Sequence, residues 1–173
     1  MEHTKKVGQA IGIDLATEML RLGREKMKQK TYKNKVLLQE ASATALPFSK
    51  NTFDCATISF GIRNVDDVSL ALSEIHRVLK PGGRIIVLEF SLPNNDLLKT
   101  LHLFYLRRCL PYVGGWLSKN RDAYTYLNKT IEAFPSGQNF CALLKNAGFI
   151  SAEAHPLTLG IVTLYIGDKC SIG

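Results

Sequence analysis

The 173-residue chain has no uninterrupted apolar run near the roughly 20 residues that a membrane-spanning helix needs. Its start, Met1 to Gln9, is polar and lysine-bearing with no signal-peptide core, so a cytoplasmic protein is expected. Cysteine is sparse, and Cys55, Cys109, Cys141 and Cys170 lie far apart with no close pair and no neighbouring histidine. That spacing argues against a zinc site or a redox dithiol and reads as reduced structural thiols. Repeats, low-complexity tracts and linkers are absent, so residues 1–173 are expected to form a single domain. No RNA-binding motif, zinc finger or arginine-rich tail is present, and no nucleic-acid partner is expected. His3, His76, His102 and His155 are scattered, no Ser, His and Asp set stands out, and no metal is expected.

What is there is ordinary in bulk: 46% hydrophobic and 21% charged residues, which suits a folded globular chain rather than a disordered or coiled-coil one. The 22 Lys and Arg against 15 Asp and Glu give a formal charge of +7. The excess gathers near the start, in Lys5, Lys6, Arg21, Arg24, Lys26, Lys28, Lys30, Lys33 and Lys35. Charge of this sign is compatible with nucleic acid, anionic lipid or an acidic small ligand, and alone it selects none of them.

Ala10-Ile11-Gly12-Ile13 is a short apolar stretch ending in Asp14, and from Thr17 to Lys30 the residues Met19, Leu20, Gly23 and Met27 recur at helical spacing. The pattern predicts strand, acidic end, helix. Val36-Leu37-Leu38 predicts a second strand, Ala45 to Thr52 a turn-rich connection around Pro47, and Phe53 to Phe60 a third strand. Between Val65 and Leu79, the positions Val68, Leu72, Ile75 and Leu79 predict a helix that Lys80-Pro81-Gly82-Gly83 stops. Ile85 to Leu88 then reads as a strand buried on both faces. Strand and helix therefore alternate, which predicts an α/β fold with a mostly parallel sheet covered by helices. After Glu89 come a helix over Leu97 to Leu110 and a loop with Pro111, Gly114, Gly115 and Trp116. A helix through Tyr124 and Tyr126 follows, then one capped by Ser136 and ending near Ala147-Gly148. Strands near Ala152 to His155 and Gly160 to Ile166 close the chain.

Asp14, at a strand end just before a helix, is where a doubly wound sheet offers a carboxylate to both hydroxyls of a ribose. The same placement also lets it interact with the positive helix end, and position alone does not choose. Asp54, at a strand entry, reads as turn chemistry. At the third strand's exit, small Ser59 and Gly61 admit a ligand close to the backbone, and Arg63 and Asn64 set a cation and an amide at the carboxyl end of the sheet. The competing reading has Asn64 capping the next helix and Arg63 pairing with surface acids. Lys80-Pro81-Gly82-Gly83 lacks the lysine and hydroxyl of a phosphate loop and precedes a strand, so it is a tight turn.

Ala45-Leu46-Pro47-Phe48, Asn51-Thr52-Phe53-Asp54, Arg77 to Gly83 and Glu89-Phe90 together resemble a class I S-adenosylmethionine-dependent methyltransferase, a Rossmann-like fold. Phe60-Gly61-Ile62-Arg63-Asn64-Val65, Leu88-Glu89-Phe90-Ser91, Ala123-Tyr124-Thr125-Tyr126-Leu127 and Leu157 to Val162 narrow this. They are similar in order and spacing to the menaquinone/ubiquinone biosynthesis C-methyltransferase family. The resemblance implies methyl transfer from S-adenosyl-L-methionine to a ring carbon of a lipophilic demethylated quinol. It implies that Asp14 binds the cofactor ribose, that Ser42 and Ala43 sit beside the adenine, and that Ser59 lines the cofactor pocket. It also implies that Arg63 and Asn64 orient the quinol and that Tyr124 and Tyr126 wall its ring. The helix from Leu97 to Leu110, apolar with Arg107-Arg108, would then either rest peripherally on the inner face of the membrane or pack in the substrate cap. A homo-oligomer stays open.

Two departures accompany the resemblance. Serine stands at position 42, where the family usually has Asp or Asn. The glycine-rich turn and first strand expected before Gly8 have no counterpart, so the chain reads as incomplete at its N-terminus. That strand would lie between the one ending at Asp14 and the one containing Ser59, and both are expected to lack a neighbour.

Overall fold

The computed structural model describes residues 8–28, 35–110 and 121–171, and the chain divides into two compact units, Met1–Pro47 and Phe48–Gly173. The start before Gly8, Lys30, and the loop around Pro111, Gly114, Gly115 and Trp116 lie outside the described residues.

In the first unit, β1 (Ala10–Asp14) and β2 (Val36–Glu40) pair in parallel, with Asp14 opposite Glu40. Parallel neighbours need a crossover, and α1 (Thr17–Lys28) supplies it. Gly12 on β1 and Gly23 on α1 both face Leu38, and a Cβ at either would come within 2.7 or 2.8 Å of its methyl groups. Two missing side chains thus let strand and helix close on one leucine.

The second unit carries a four-stranded sheet in the order β3-β4-β6-β5. β3 (Phe53–Ser59) runs parallel to β4 (Leu79–Phe90), while β6 (Val162–Asp168) is antiparallel to both β4 and β5 (Ser151–Leu157). The parallel pair is joined by α2 (Val68–Val78), and the antiparallel β5–β6 pair by a short turn, as the two pairing geometries require. Along β4, Ile85, Val87 and Glu89 are fully buried and share one face. Opposite them pack Leu72, Ile75 and Val78 of α2, and Phe140 and Leu144 of a later helix, all within the buried core. Among the described residues, β1 pairs with β2, and β3 with β4.

Three boundaries differ from the sequence reading. Helix α2 begins at Val68, not Val65, because Asp67 accepts from the Leu70 amide at 2.9 Å and Ile62–Asn64 form a separate 3-10 turn. Asn64 therefore caps nothing. The Lys80 to Gly83 segment bulges within β4, between the Phe53–Leu79 and Cys55–Arg84 pairings. Ser136 does not cap the last helix: α5 (Gln138–Asn146) starts after Gly137, whose positive φ fits glycine and whose amide donates to the Tyr165 hydroxyl at 2.8 Å.

The helix expected over Leu97 to Leu110 is α3 (Asp96–Phe104), capped by Asn95 and continuing as one π turn, Tyr105–Cys109. The helix through Tyr124 and Tyr126 is α4 (Arg121–Ala133). Asn128 of α4 donates its side-chain amide to the Leu106 carbonyl inside the π turn. Such turns widen the ladder and leave backbone groups to be satisfied from outside. No described helix is long and apolar enough to cross a membrane.

Candidate active site

In the first unit, Asp14 ends β1 with an exposed carboxylate whose Oδ1 accepts from the Ala16 amide at 2.9 Å. One oxygen thus shapes the turn into α1, and the other is left to accept from a ribose hydroxyl. Asp14 fits that task. Ser42 is half-buried and turned back on Thr44, with the two hydroxyl oxygens 2.7 Å apart and the Thr44 amide donating to Ser42 Oγ at 3.2 Å. A short side chain committed to its own turn is a poorer partner for an adenine amino group than a free carboxamide. Ala43 is half-buried beside it.

In the second unit, the carboxyl end of the sheet holds the rest. Ser59 ends β3, exposed and in register with Leu88. Phe60 follows with φ at 54°, a left-handed turn that is costly for an aromatic residue. The turn presents the Phe60 carbonyl to Arg63, whose Nη1 donates to it at 2.7 Å.

Arg63 is not a free cation. Its Nη1 also donates to Glu89 Oε1 at 2.6 Å, and the two side chains retain 9% and 0% of their exposure. Glu89 further accepts from the Phe90 amide at 2.9 Å and the Arg63 amide at 3.4 Å. A pair this dry holds because the carboxylate is met by several donors, and removing one partner from such a pair costs about 3–5 kcal/mol. Arg63 Nε is buried with no acceptor. Among the described residues Nη2 has no partner either, yet it is absent from the buried unpaired atoms, so among them it is the guanidinium nitrogen left reachable.

The Phe90 ring lies 5.3 Å from the Arg63 guanidinium carbon and 4.6 Å from the Phe60 ring. Asn64 is exposed, and its Oδ1 accepts from the Tyr126 hydroxyl at 3.3 Å, which brings two of the sequence-derived site residues together across 62 positions. Tyr124, on the same helix, is half-buried and makes no such contact. Asp54 pairs with Lys80 at 2.8 Å on the surface. Glu89 is the residue that the sequence reading missed. Its signal is an acid continuing the alternation Ile85, Val87, Glu89, where a buried face calls for an apolar side chain.

Phe90 also borders a cavity of about 540 Å³ lined by apolar side chains, among them Leu98, Leu101, Leu106, Leu127 and Ile161. Leu101, Tyr105 and Leu159 both line it and stand exposed, so the apolar surface runs from the outside into the cavity. Leu159 is held there on a turn in which Thr158 and Leu159 have φ of 48° and 58°.

The profile of the ubiE/COQ5 methyltransferase family matches residues 1–169. The chain belongs to this family. A ubiquinone/menaquinone biosynthesis C-methyltransferase of Geotalea daltonii is 46% identical over 158 residues, covering 91% of this chain and 67% of the relative. A demethylmenaquinone methyltransferase of Bacteroides fragilis is 38% identical over 167 residues, covering 96% and 68%. Across such curated relatives the chain spans about two thirds of their length, from 62% to 68%. Among solved structures, a SAM-dependent methyltransferase from Methanosarcina mazei superposes with a TM-score of 0.62 at 21% identity, over 95% of this chain and 84% of that one. The fold is thus the α/β class I methyltransferase fold, with parallel pairs built by crossover helices and an antiparallel pair closing the chain.

Proposed function

We propose that the whole protein transfers a methyl group from S-adenosyl-L-methionine to a ring carbon of a demethylated quinol, such as demethylmenaquinol or its ubiquinone-pathway equivalent. In this reading residues 1–173 belong to one methyltransferase domain. The carrying observation is Phe90, whose ring lies 5.3 Å from the Arg63 guanidinium carbon and which also lines the apolar cavity. A quinol has the matching halves, a hydroxylated ring and a hydrocarbon tail.

The bound cofactor supplies an electrophilic sulfonium methyl. This chain's residues would hold and orient: Asp14 the ribose, with Ser42, Ala43 and Ser59 beside the cofactor. At the ring, Arg63 Nη2 and the Asn64 amide donate to the quinol oxygen as its proton leaves to water and negative charge grows on the ring. Tyr126 fixes the Asn64 amide by occupying Oδ1. The ring carbon gains the methyl, loses its own proton and regains aromaticity. Placing the carbon and steadying the oxygen's charge are the main tasks, because the methyl is already reactive.

The exposed Leu97, Leu101, Phe104 and Tyr105, with exposed Arg108 beyond them, form a surface suited to an anionic bilayer at the cytoplasmic face, from which a lipophilic quinol would enter.

The test is product analysis with demethylmenaquinol and labelled cofactor on the whole protein. Menaquinol with the label in its new ring-methyl group supports the reading; turnover of other small phenols but not the quinol points to another methyltransferase substrate. Inactivity with retained ligand binding points to a binding subunit. Cosedimentation with phosphatidylglycerol vesicles, and light scattering of the same preparation, report membrane contact and assembly.

A further inference from the structure

Glu89 has no exposed surface and is the one buried acid among the described residues. Its two oxygens take three hydrogen bonds, two of them from Arg63. On the quinol reading above, a cation facing the substrate would be expected to stay unneutralised, because an opposite charge favours an ionised phenol. The structure has the reverse arrangement. The Arg63 head is locked by Glu89 and the Phe60 carbonyl through Nη1, and among the described residues Nη2 alone is left reachable.

We propose that Glu89 is a positioning residue that fixes the Arg63 guanidinium and cancels its net charge, so that Nη2 offers the quinol oxygen directed hydrogen bonds without a free positive charge. This matters for the order of events. An uncompensated arginine would ionise the quinol on binding and leave a phenolate tightly held in the ground state; a compensated one lets the charge develop as the new carbon–carbon bond forms. Among the described residues, the groups beside Glu89 from the neighbouring element are Thr163 of β6, in register with it, and Tyr165 of the same strand. Burial above all pushes the Tyr165 phenol up, against the hydrogen bonds with Gly137 and Thr163, so it brings no charge of its own at neutral pH.

The test uses the whole protein with 1-naphthol as probe, its ionisation when bound read from the naphtholate absorbance band, beside the pH dependence of kcat with demethylmenaquinol. In Glu89→Gln the bound naphthol should ionise about 1–2 pH units lower than in the wild type, and the rising limb of kcat should move by the same amount. Glu89→Asp keeps the charge and withdraws the carboxylate, so the midpoint should stay while kcat falls about tenfold or more. An unmoved naphthol midpoint in Glu89→Gln overturns the proposal. If Glu89→Gln does not fold, Glu89→Asp decides, and wild-type kcat there overturns it equally. A shifted naphthol midpoint without quinol methylation would retain the charge compensation and remove the quinol reading, whereas a wild type that binds no naphthol removes both.

Discussion

Lys169 donates through Nζ to the Leu79 carbonyl at 2.7 Å, joining the end of β6 to the point where α2 becomes β4. The same ammonium donates to the His76 carbonyl at 2.7 Å and to Asn51 Oδ1 at 3.1 Å. Two helix-end carbonyls are thereby satisfied from outside the helix. Lys169→Met keeps the apolar stem and deletes the donor, and should cost about 1–2 kcal/mol in urea unfolding. An unchanged midpoint would show that water replaces the ammonium freely.

Acid should loosen the fold through two histidines. Burial first, and then the Lys169 charge, hold the His76 imidazole below its ordinary value, and burial does the same to His102, whose Nε2 has no partner. A histidine whose folded pKa is depressed is protonated more readily in the unfolded chain. Its stability contribution is therefore complete above the unfolded value of about 6.5 and is lost as pH falls from there through the folded pKa. Unfolding free energy should decline over that window. Lys169→Met should raise the His76 midpoint in an NMR titration, and His102→Leu should flatten the acid decline.

Asp67 starts α2 by accepting from the Leu70 amide, and that helix buries Ala71, Leu72, Ile75 and Val78. Asp67→Ala should cost about 1 kcal/mol in chemical denaturation, while Asp67→Asn should cost much less because the acceptor remains.

Tyr126 is mostly exposed, so Tyr126→Phe should change stability by under about 0.5 kcal/mol. In the quinol methylation assay on the whole protein it should lower kcat/KM about tenfold, equivalent to about 1.4 kcal/mol. Asn64→Ala, which also deletes the amide placed at the quinol oxygen, should lower it at least as much. The double variant should be little worse than Asn64→Ala, since Tyr126 acts through Asn64.

The order of strands and helices up to Leu88 is legible in the sequence because each element carries its own periodicity, as in Leu72 and Ile75 of α2 and the apolar run Ile85 to Leu88. Boundaries set by one hydrogen bond are not: Asn64 reads as a cap in the sequence, whereas Asp67 makes the capping bond. The π turn at Tyr105–Cys109 keeps a helical apolar pattern and has no separate signature. Arg63, Asn64 and Tyr126 are readable as a group through the family resemblance, but the burial of Arg63 is not. It depends on which face of β4 Glu89 occupies, and the contact spans 26 positions. Asp14 stands out by position and Ser42 only through the resemblance, whereas the turning of Ser42 onto Thr44 is a local competition that spacing cannot reveal.

The sheet order gives the two halves of the buried ion pair different clocks. Glu89 belongs to β4, bonded by β3 on one side and β6 on the other, whereas Arg63 belongs to a three-residue turn beyond the end of β3. Amides of Ile85 to Leu88 should therefore exchange with solvent only when the whole unit opens, and those around Arg63 through smaller openings. The cation can leave its acid in such an opening while the strand that carries the acid stays in place.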